Sequence, residues 1–308
     1  MKKRNSFVYL LLAGVCLLVM AAAIAFIIKY YADNRREEAV YESLQSAAAG
    51  LPTSTLGPQA EAEPSPAPQA FGPASDPQIS SAHMASPSPG SDIPDDEALL
   101  RTVDFTALQE ETNAHIYAWI SIPGTRIDYP MLQHPSDNTH YLNHNLDGSR
   151  GYPGCIYTEK ENAADFSDFN TVIYGHNMKN GSMFHDLHNY EDETFLPEHP
   201  YVYIYTPDRV LRYRIFASYR YDDRHLLYSF DYATEEGRSG YLNEIRGIRS
   251  MSAVLDDQVE VTAQDRLVTL STCVSGRAEN RYLVQAVLVD DIPVSDINDL
   301  LIYTTMGQ

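Results

Sequence analysis

Cysteine is scarce in this chain, and so is positive charge. Three cysteines, Cys16, Cys155 and Cys273, are spread over 308 residues. They cannot all pair, and Cys16 lies inside an apolar run, which excludes a disulfide scaffold. Lys and Arg number 22 against 42 Asp and Glu, a formal net charge of −20. That balance excludes nucleic-acid binding through a basic surface. Between Arg36 and Arg101 there is no Lys or Arg at all. Tryptophan occurs once against 22 tyrosines, which suits a strand-rich domain with amphipathic surfaces. No internal repeat is present, and the length fits one ordinary domain with appendages.

The appendages come first. Residues 1–6 form a basic head with Lys2, Lys3 and Arg4. Phe7 to Ile28 then runs for 22 residues without a charge, enough to cross a bilayer as a helix. A cleaved signal peptide is the rival reading, but the run is longer than an ordinary signal core and no A-x-A site follows it. Basic residues flank both ends, so the charge rule is nearly balanced. The denser head and the acidic remainder favour a cytoplasmic N-terminus with the bulk outside. Residues 29–50 are expected to continue the helix as a stalk, with Val40 and Leu44 four apart. Residues 51–94 hold ten of the 18 prolines among Ala, Ser, Gln and Gly, and read as an extended, disordered spacer.

Folded sequence is expected from 95 to 308. Leu99, Leu100, Val103 and Leu108 suit short helices capped by Asp104 or Thr106. Short strands are expected at 119–122, 126–132, 155–158, 170–175, 201–205, 210–216, 267–273 and 281–289, with helices near 180–190 and 239–250. Many short strands with few helices predict a mainly antiparallel barrel or sandwich.

Two of these strands deliver chemistry. Leu267-Val-Thr-Leu-Ser-Thr-Cys273 ends in a cysteine, and Arg281 opens the next strand after the turn Val274-Ser-Gly276. Asn170-Thr-Val-Ile-Tyr-Gly175 ends at His176. Alone, Cys273 reads as a small core residue, and one histidine of ten reads as structural. Together they supply the parts of acyl transfer: a thiol nucleophile, an imidazole to activate it and protonate the leaving amine, and a cation for the oxyanion. Arg281 stays protonated and cannot act as the base. His140 with His144, and His185 with His188, are spaced to face one another on helices. No cysteine or carboxylate completes a zinc pattern, so they are read as solvent-exposed, and no metal or cofactor is expected. Asp92-Asp95-Asp96-Glu97 reads as a solvated linker end. Cys155 reads as packing, and the alternating Tyr201, Tyr203 and Tyr205 as one strand face.

Thr171-Val-Ile-Tyr-Gly-His-Asn-Met178, Thr269-Leu-Ser-Thr-Cys273 and the trailing Arg281 resemble the signature of sortases, transpeptidases of Gram-positive cell surfaces. Tyr174 to Met178 with Gly181-Ser-Met-Phe184, Trp119 to Thr125 and Ile127 to Pro130 resemble class B. The resemblance spans about Val103 to Asp290. It implies an eight-stranded β-barrel with peripheral helices and His176, Cys273 and Arg281 as catalytic residues. It also implies cleavage of a sorting motif after its threonine through a thioester, and transfer to an amine of peptidoglycan, its precursor or a pilin lysine. Asn138, Leu142 and Ser271 would line the groove for the sorting peptide. Partners would be surface proteins bearing a C-terminal sorting motif. Val274 departs from the polar residue many relatives carry after the cysteine, and the spacer is unusually long. Two other readings stay open: an anchored, non-catalytic binding module, and an L,D-transpeptidase, whose Ser/Thr-His-Gly-Cys pattern is missing here.

Overall fold

A computed structural model describes residues 2–48 and 101–297; the expected spacer over 51–94, the acidic linker end and Leu99–Leu100 lie outside them. The first helix, α1, runs over Lys2–Ala48, about 70 Å at 1.5 Å per residue. Its stretch Leu12–Lys29 has a mean hydropathy of 2.5 and none of it is buried in protein. Leu18, Phe26 and Ile28 stand in the open, as residues of a single membrane-spanning segment would.

The other end of α1 is covered. Glu37, Tyr41 and Ala48 are buried, at i, i+4 and i+11, so one helical stripe faces the folded domain. The Tyr41 hydroxyl donates to the Gly154 carbonyl at 3.1 Å, and Gln45 Nε2 donates to the Asp128 carbonyl at 2.6 Å. Arg101 Nε donates to the Ala48 carbonyl at 3.2 Å, supplying a partner to one of the last carbonyls of the helix. The expected stalk is therefore a docked helix.

The short helix α2 (Phe105–Glu111) opens at Asp104, whose carboxylate accepts from the Ala107 amide at 2.9 Å, the cap read from sequence. Nine strands follow: β1 (Ile116–Ser121), β2 (Asp128–Gln133), β3 (Ile156–Thr158), β4 (Asn170–Tyr174), β5 (Tyr201–Tyr205), β6 (Arg209–Asp222), β7 (Val254–Leu255), β8 (Leu267–Val274) and β9 (Arg277–Pro293). Their order is β5-β1-β2-β3-β4-β8-β9-β6, closed by a β5–β6 pairing, with β7 appended to β6. Eight strands thus close into a barrel. The pairings are antiparallel except β2–β3 and β4–β8, which are parallel. Closure leaves no free edge within the ring.

Barrel strands carry apolar residues on both faces because both are covered. Every residue of β8 is buried except Cys273. The interior includes Met131, Val268 and Val284, all fully buried. Outside, α5 (Glu235–Arg246) lays Tyr241, Leu242 and Ile245 against Val172, Leu267 and Leu283. Its cap, Thr234 Oγ1, accepts from the Gly237 amide at 3.2 Å. A polar knot crosses this layer: Thr269 Oγ1 donates to Asn170 Oδ1 at 2.8 Å, and Gln285 Nε2 donates to Thr269 and to Tyr241. The knot is not fully satisfied: Gln285 Oε1 is buried without a hydrogen-bond partner among the described residues.

Two of the boundaries that differ from expectation lie near the strand ends that carry His176 and Cys273. The helix expected near 180–190 is a 3-10 helix over Phe184–Glu191. Met183 takes a left-handed φ of 57° and the Phe184 amide is held by the His176 carbonyl at 2.9 Å, so the turn cannot begin earlier. Strand β9 starts at Arg277, not Arg281, because Val274 pairs with Arg277 across a tight hairpin. Gly276, at φ 74°, supplies the left-handed residue that the hairpin needs. Two four-residue helices, α3 (Phe195–Glu198) and α4 (Leu226–Ser229), and a 3-10 turn over His140–Leu142 complete the described elements.

Candidate active site

Strands β4 and β8 lie side by side and parallel, with Tyr174 opposite Ser271. Beyond that pair the two chains stay locked. The Gly175 amide donates to the Ser271 carbonyl at 3.1 Å, and Thr272 Oγ1 donates to the Gly175 carbonyl at 2.8 Å. His176 and Cys273, each two residues past the Tyr174–Ser271 pair, therefore emerge at the same end of the barrel. A side chain at 175 would not fit: its Cβ would fall 2.5 Å from Ile156 Cδ1 and 2.7 Å from the Phe184 ring.

On the other side of β8, Cys273 stands directly opposite Arg281 of β9, and the register slips immediately after it. A bulge at that place turns the side chain out of the packed strand. Cys273 is exposed while its neighbours Thr272 and Val274 are buried.

A cavity of about 280 Å³ gathers these groups. Leu142, His176, Ser271, Cys273 and Arg281 line it, with Tyr157 and Tyr174 beneath and the Glu159–His225 pair alongside. Five of the six residues expected at the site thus meet in one place. Asn138 does not line the cavity; it donates to Glu161 Oε2 at 2.6 Å and accepts from the Lys160 amide at 3.2 Å.

The hydrogen bonds set the chemistry. His176 Nε2 lies 2.6 Å from the Leu142 carbonyl. A carbonyl only accepts, so Nε2 carries the proton and Nδ1 of the neutral ring is left as the base. The ring of Tyr152 packs over it at 5.1 Å. Arg281 Nη1 donates to the Asn280 carbonyl at 3.0 Å, which helps fix the guanidinium. Tyr157 and Tyr174 stack with centroids 5.3 Å apart. Burial pushes the Tyr157 hydroxyl far up; Glu159 and Cys273 add to this and Arg281 opposes it. The same floor residue therefore feels both ends of the cavity. Glu159 is pushed up by burial and partly brought back by His225, whose Nε2 is 2.9 Å away.

Several groups at the site escaped the sequence reading. His185 and His188 are not solvated side chains. His185 Nδ1 meets Asn177 Oδ1 at 2.8 Å, and His188 reaches the Cys273 carbonyl. His140 and His144 stack on one another at 4.0 Å, and His134 stacks on His140 at 4.3 Å. Spacing showed the pairs but not what they would touch. Glu159 carried no signal at all. Cys155, just before β3, is buried as expected, with its thiol 3.4 Å from the His144 carbonyl; burial raises its pKa far above the ordinary thiol value.

Comparisons with known proteins agree with this geometry. The sortase domain family profile matches residues 120–289. Sortase B of Listeria monocytogenes is 34% identical over 182 residues, 58% of this chain and 72% of that protein. The crystal structure of Clostridium perfringens sortase B is 30% identical, covers 61% of this chain and all of its own, and superposes with a TM-score of 0.55. A Staphylococcus aureus sortase B–substrate complex is 26% identical, covers 60% of this chain and 84% of its own, with a TM-score of 0.54. Sequence profile, curated relatives and solved folds converge on the barrel that carries His176, Cys273 and Arg281: the chain belongs to the sortase family of cysteine transpeptidases, on its class B side.

Proposed function

We propose that this sortase is a membrane-anchored transpeptidase that cuts a sorting motif after its threonine and passes the acyl group to a cell-surface amine. Nδ1 of His176 takes the Cys273 thiol proton, and the thiolate attacks the threonine carbonyl, forming a C–S bond as the carbonyl π electrons move onto oxygen. Arg281 holds the resulting oxyanion. His176 then gives its proton to the departing amine as the C–N bond breaks, leaving a thioester on Cys273. In the second half an acceptor amine, of peptidoglycan, its precursor or a pilin lysine, attacks the thioester. His176 takes the amine proton, the new amide forms, and Cys273 leaves as thiolate.

The observation that supports this reading is the single cavity shared by His176, Cys273 and Arg281. Leu142 and Ser271 would contact the sorting peptide there. Asn138 would contribute through the Lys160–Glu161 segment to which it is hydrogen-bonded. The apolar Leu12–Lys29 segment would anchor the protein with its N-terminus in the cytoplasm and the barrel outside.

The experiment is mass spectrometry of the full chain after incubation with a library of sorting peptides. An adduct on Cys273 with the mass of the acyl fragment ending in threonine, absent from Cys273→Ala, is the expected result. An adduct on Cys155, or hydrolysis that persists in Cys273→Ala, would overturn the assignment. Protease treatment of intact cells should remove the barrel and spare the N-terminal head; protection of the barrel would reverse the topology.

A further inference from the structure

Behind the cysteine lies a second histidine network that the reaction above does not use. Five polar contacts define it. His188 Nε2 lies 3.1 Å from the Cys273 carbonyl, and Asn177 Nδ2 donates to that same carbonyl at 3.1 Å. Asn177 Nδ2 is also 2.9 Å from His188 Nε2. On its far side, His188 Nδ1 meets Glu191 Oε1 at 2.9 Å. Arg220 Nη2 in turn donates to Glu191 Oε2 at 2.9 Å.

The proton positions follow from what each partner can do. Burial pushes the Glu191 carboxyl up, but the hydrogen bonds from His188 and Arg220 outweigh it and hold the group below its usual range. Glu191 is then an ionised, accept-only partner, so His188 Nδ1 always carries a proton. Nε2 has two alternatives. Unprotonated, it accepts from the Asn177 amide and turns a lone pair toward the Cys273 carbonyl. Protonated, it becomes a second donor to that carbonyl, and the Asn177 amide keeps its bonds to Cys273 and to Ser275 Oγ at 3.3 Å. Asn177 is held in place because its Oδ1 faces His185 Nδ1.

We propose that His188 is a positioning residue for Cys273: as imidazolium it fixes the cysteine backbone through the carbonyl and sets a positive charge at that carbonyl. This rests on Cys273 being the nucleophile. A neighbouring cation favours thiolate over thiol, and a fixed carbonyl holds the bulged residue at its place opposite Arg281. Several groups face His188. Glu191 favours the imidazolium, and Arg220 opposes it from behind Glu191. His185, itself near the Asp186 carboxylate, stands beyond Asn177. The ring of Tyr282 stacks on His188 at 4.8 Å, and its hydroxyl is subject to the fields of Glu191 and Arg220. Ser275 and Cys273 complete the shell.

The test needs no sorting peptide. Alkylation of Cys273 by iodoacetamide is followed from pH 5.5 to 9 in the full chain, in a His176→Ala background that removes the first histidine's titration. With His188 present, alkylation should run roughly fivefold faster below pH 7 than in His176→Ala/His188→Gln, the size of one partly screened charge contact. The advantage should shrink as pH rises and the ring loses its proton. A purely structural role would slow alkylation equally at all pH values, and that result, or superimposed profiles, would overturn the proposal. Should His188→Gln not fold, Glu191→Gln keeps the ring, lowers its affinity for the proton, and should move the step to lower pH; an unmoved step is equally contrary. A pH-dependent advantage without any acyl adduct would leave this inference standing and sink the transpeptidase reading.

Discussion

Arg281 and Arg277 both follow Cys273 closely in sequence, and both lie on β9, yet their surroundings differ. Arg281 is half-buried, directly opposite Cys273, and lines the cavity. Arg277 is exposed and opposite Val274. An oxyanion donor works when it is held in advance where charge will develop, and removing one costs about 10²–10³-fold in rate, roughly 3–4 kcal/mol. Arg281 meets that condition twice: sheet pairing fixes its backbone, and the Asn280 carbonyl accepts from its Nη1. Arg281→Ala should therefore lose at least 10²-fold in peptide turnover. Arg281→Lys should recover only part, because an ammonium keeps the charge without the planar fork. Arg277→Ala should stay near the parent rate. The assay is kcat/KM for a quenched fluorescent sorting peptide, with circular dichroism to confirm folding. An inactive Arg277→Ala beside an active Arg281→Ala would refute the reasoning and move the site into the hairpin turn.

Other expectations concern the thiols, the docked helix, the histidine stack and the spacer. Cys273→Ala should abolish turnover with little change in Tm, whereas Cys155→Ala should keep turnover within a few-fold and lower stability by about 1 kcal/mol as a buried thiol is lost; an essential Cys155 would mean the wrong nucleophile. Tyr41→Ala should cost about 3 kcal/mol of whatever stability α1 docking supplies, read as faster protease cutting of the helix; unchanged cutting would mean the helix is not held there. His115 and His140 have lowered pKa values, from burial first and then from neighbouring histidines. The unfolded chain, at 6.5, binds these protons first, so stability should fall as pH drops below about 6.5 and should do so less in His140→Gln; Glu159, raised by burial, acts with the opposite sign above its ordinary value of 4.5. Shortening the 49–100 segment fourfold should stabilise docking by about 1.2 kcal/mol with cleavage unchanged, and a lowered Tm would contradict it.

The site was legible where one residue type and one strand end carried the signal. Apolar runs ending in His176 and Cys273 marked both strand ends, and the structure brings them to one cavity. What sequence could not show is the parallel pairing of β4 and β8, because Asn170 and Leu267 meet only after the barrel closes. His188 illustrates the same limit. Its spacing from His185 was visible, but its role depends on a carbonyl 85 residues away. Along α1 the spacing of Val40 and Leu44 suggested one face, whereas the buried stripe runs through Glu37, Tyr41 and Ala48. Polar and aromatic residues do the docking there, and apolar periodicity does not see them.

Residue 48 ends α1 and residue 101 begins the domain, yet Arg101 Nε bonds the Ala48 carbonyl at 3.2 Å. The described ends on either side of residues 49–100 therefore meet at one contact. Closing 52 residues costs roughly 3.5 kcal/mol by chain entropy. Against that stand the burial of Tyr41, worth about 2 kcal/mol, and three long-range hydrogen bonds at roughly 1 kcal/mol each. The two sides nearly balance, so single contacts decide whether the helix stays seated. One of those contacts ends at Gly154. A Cβ there would fall 2.6 Å from the Tyr141 carbonyl and 3.0 Å from that of Leu142, the acceptor of His176. Only glycine, at a left-handed φ of 68°, lets the chain pass this close. The loop whose Leu142 carbonyl meets His176 is therefore packed against the residue on which α1 sits.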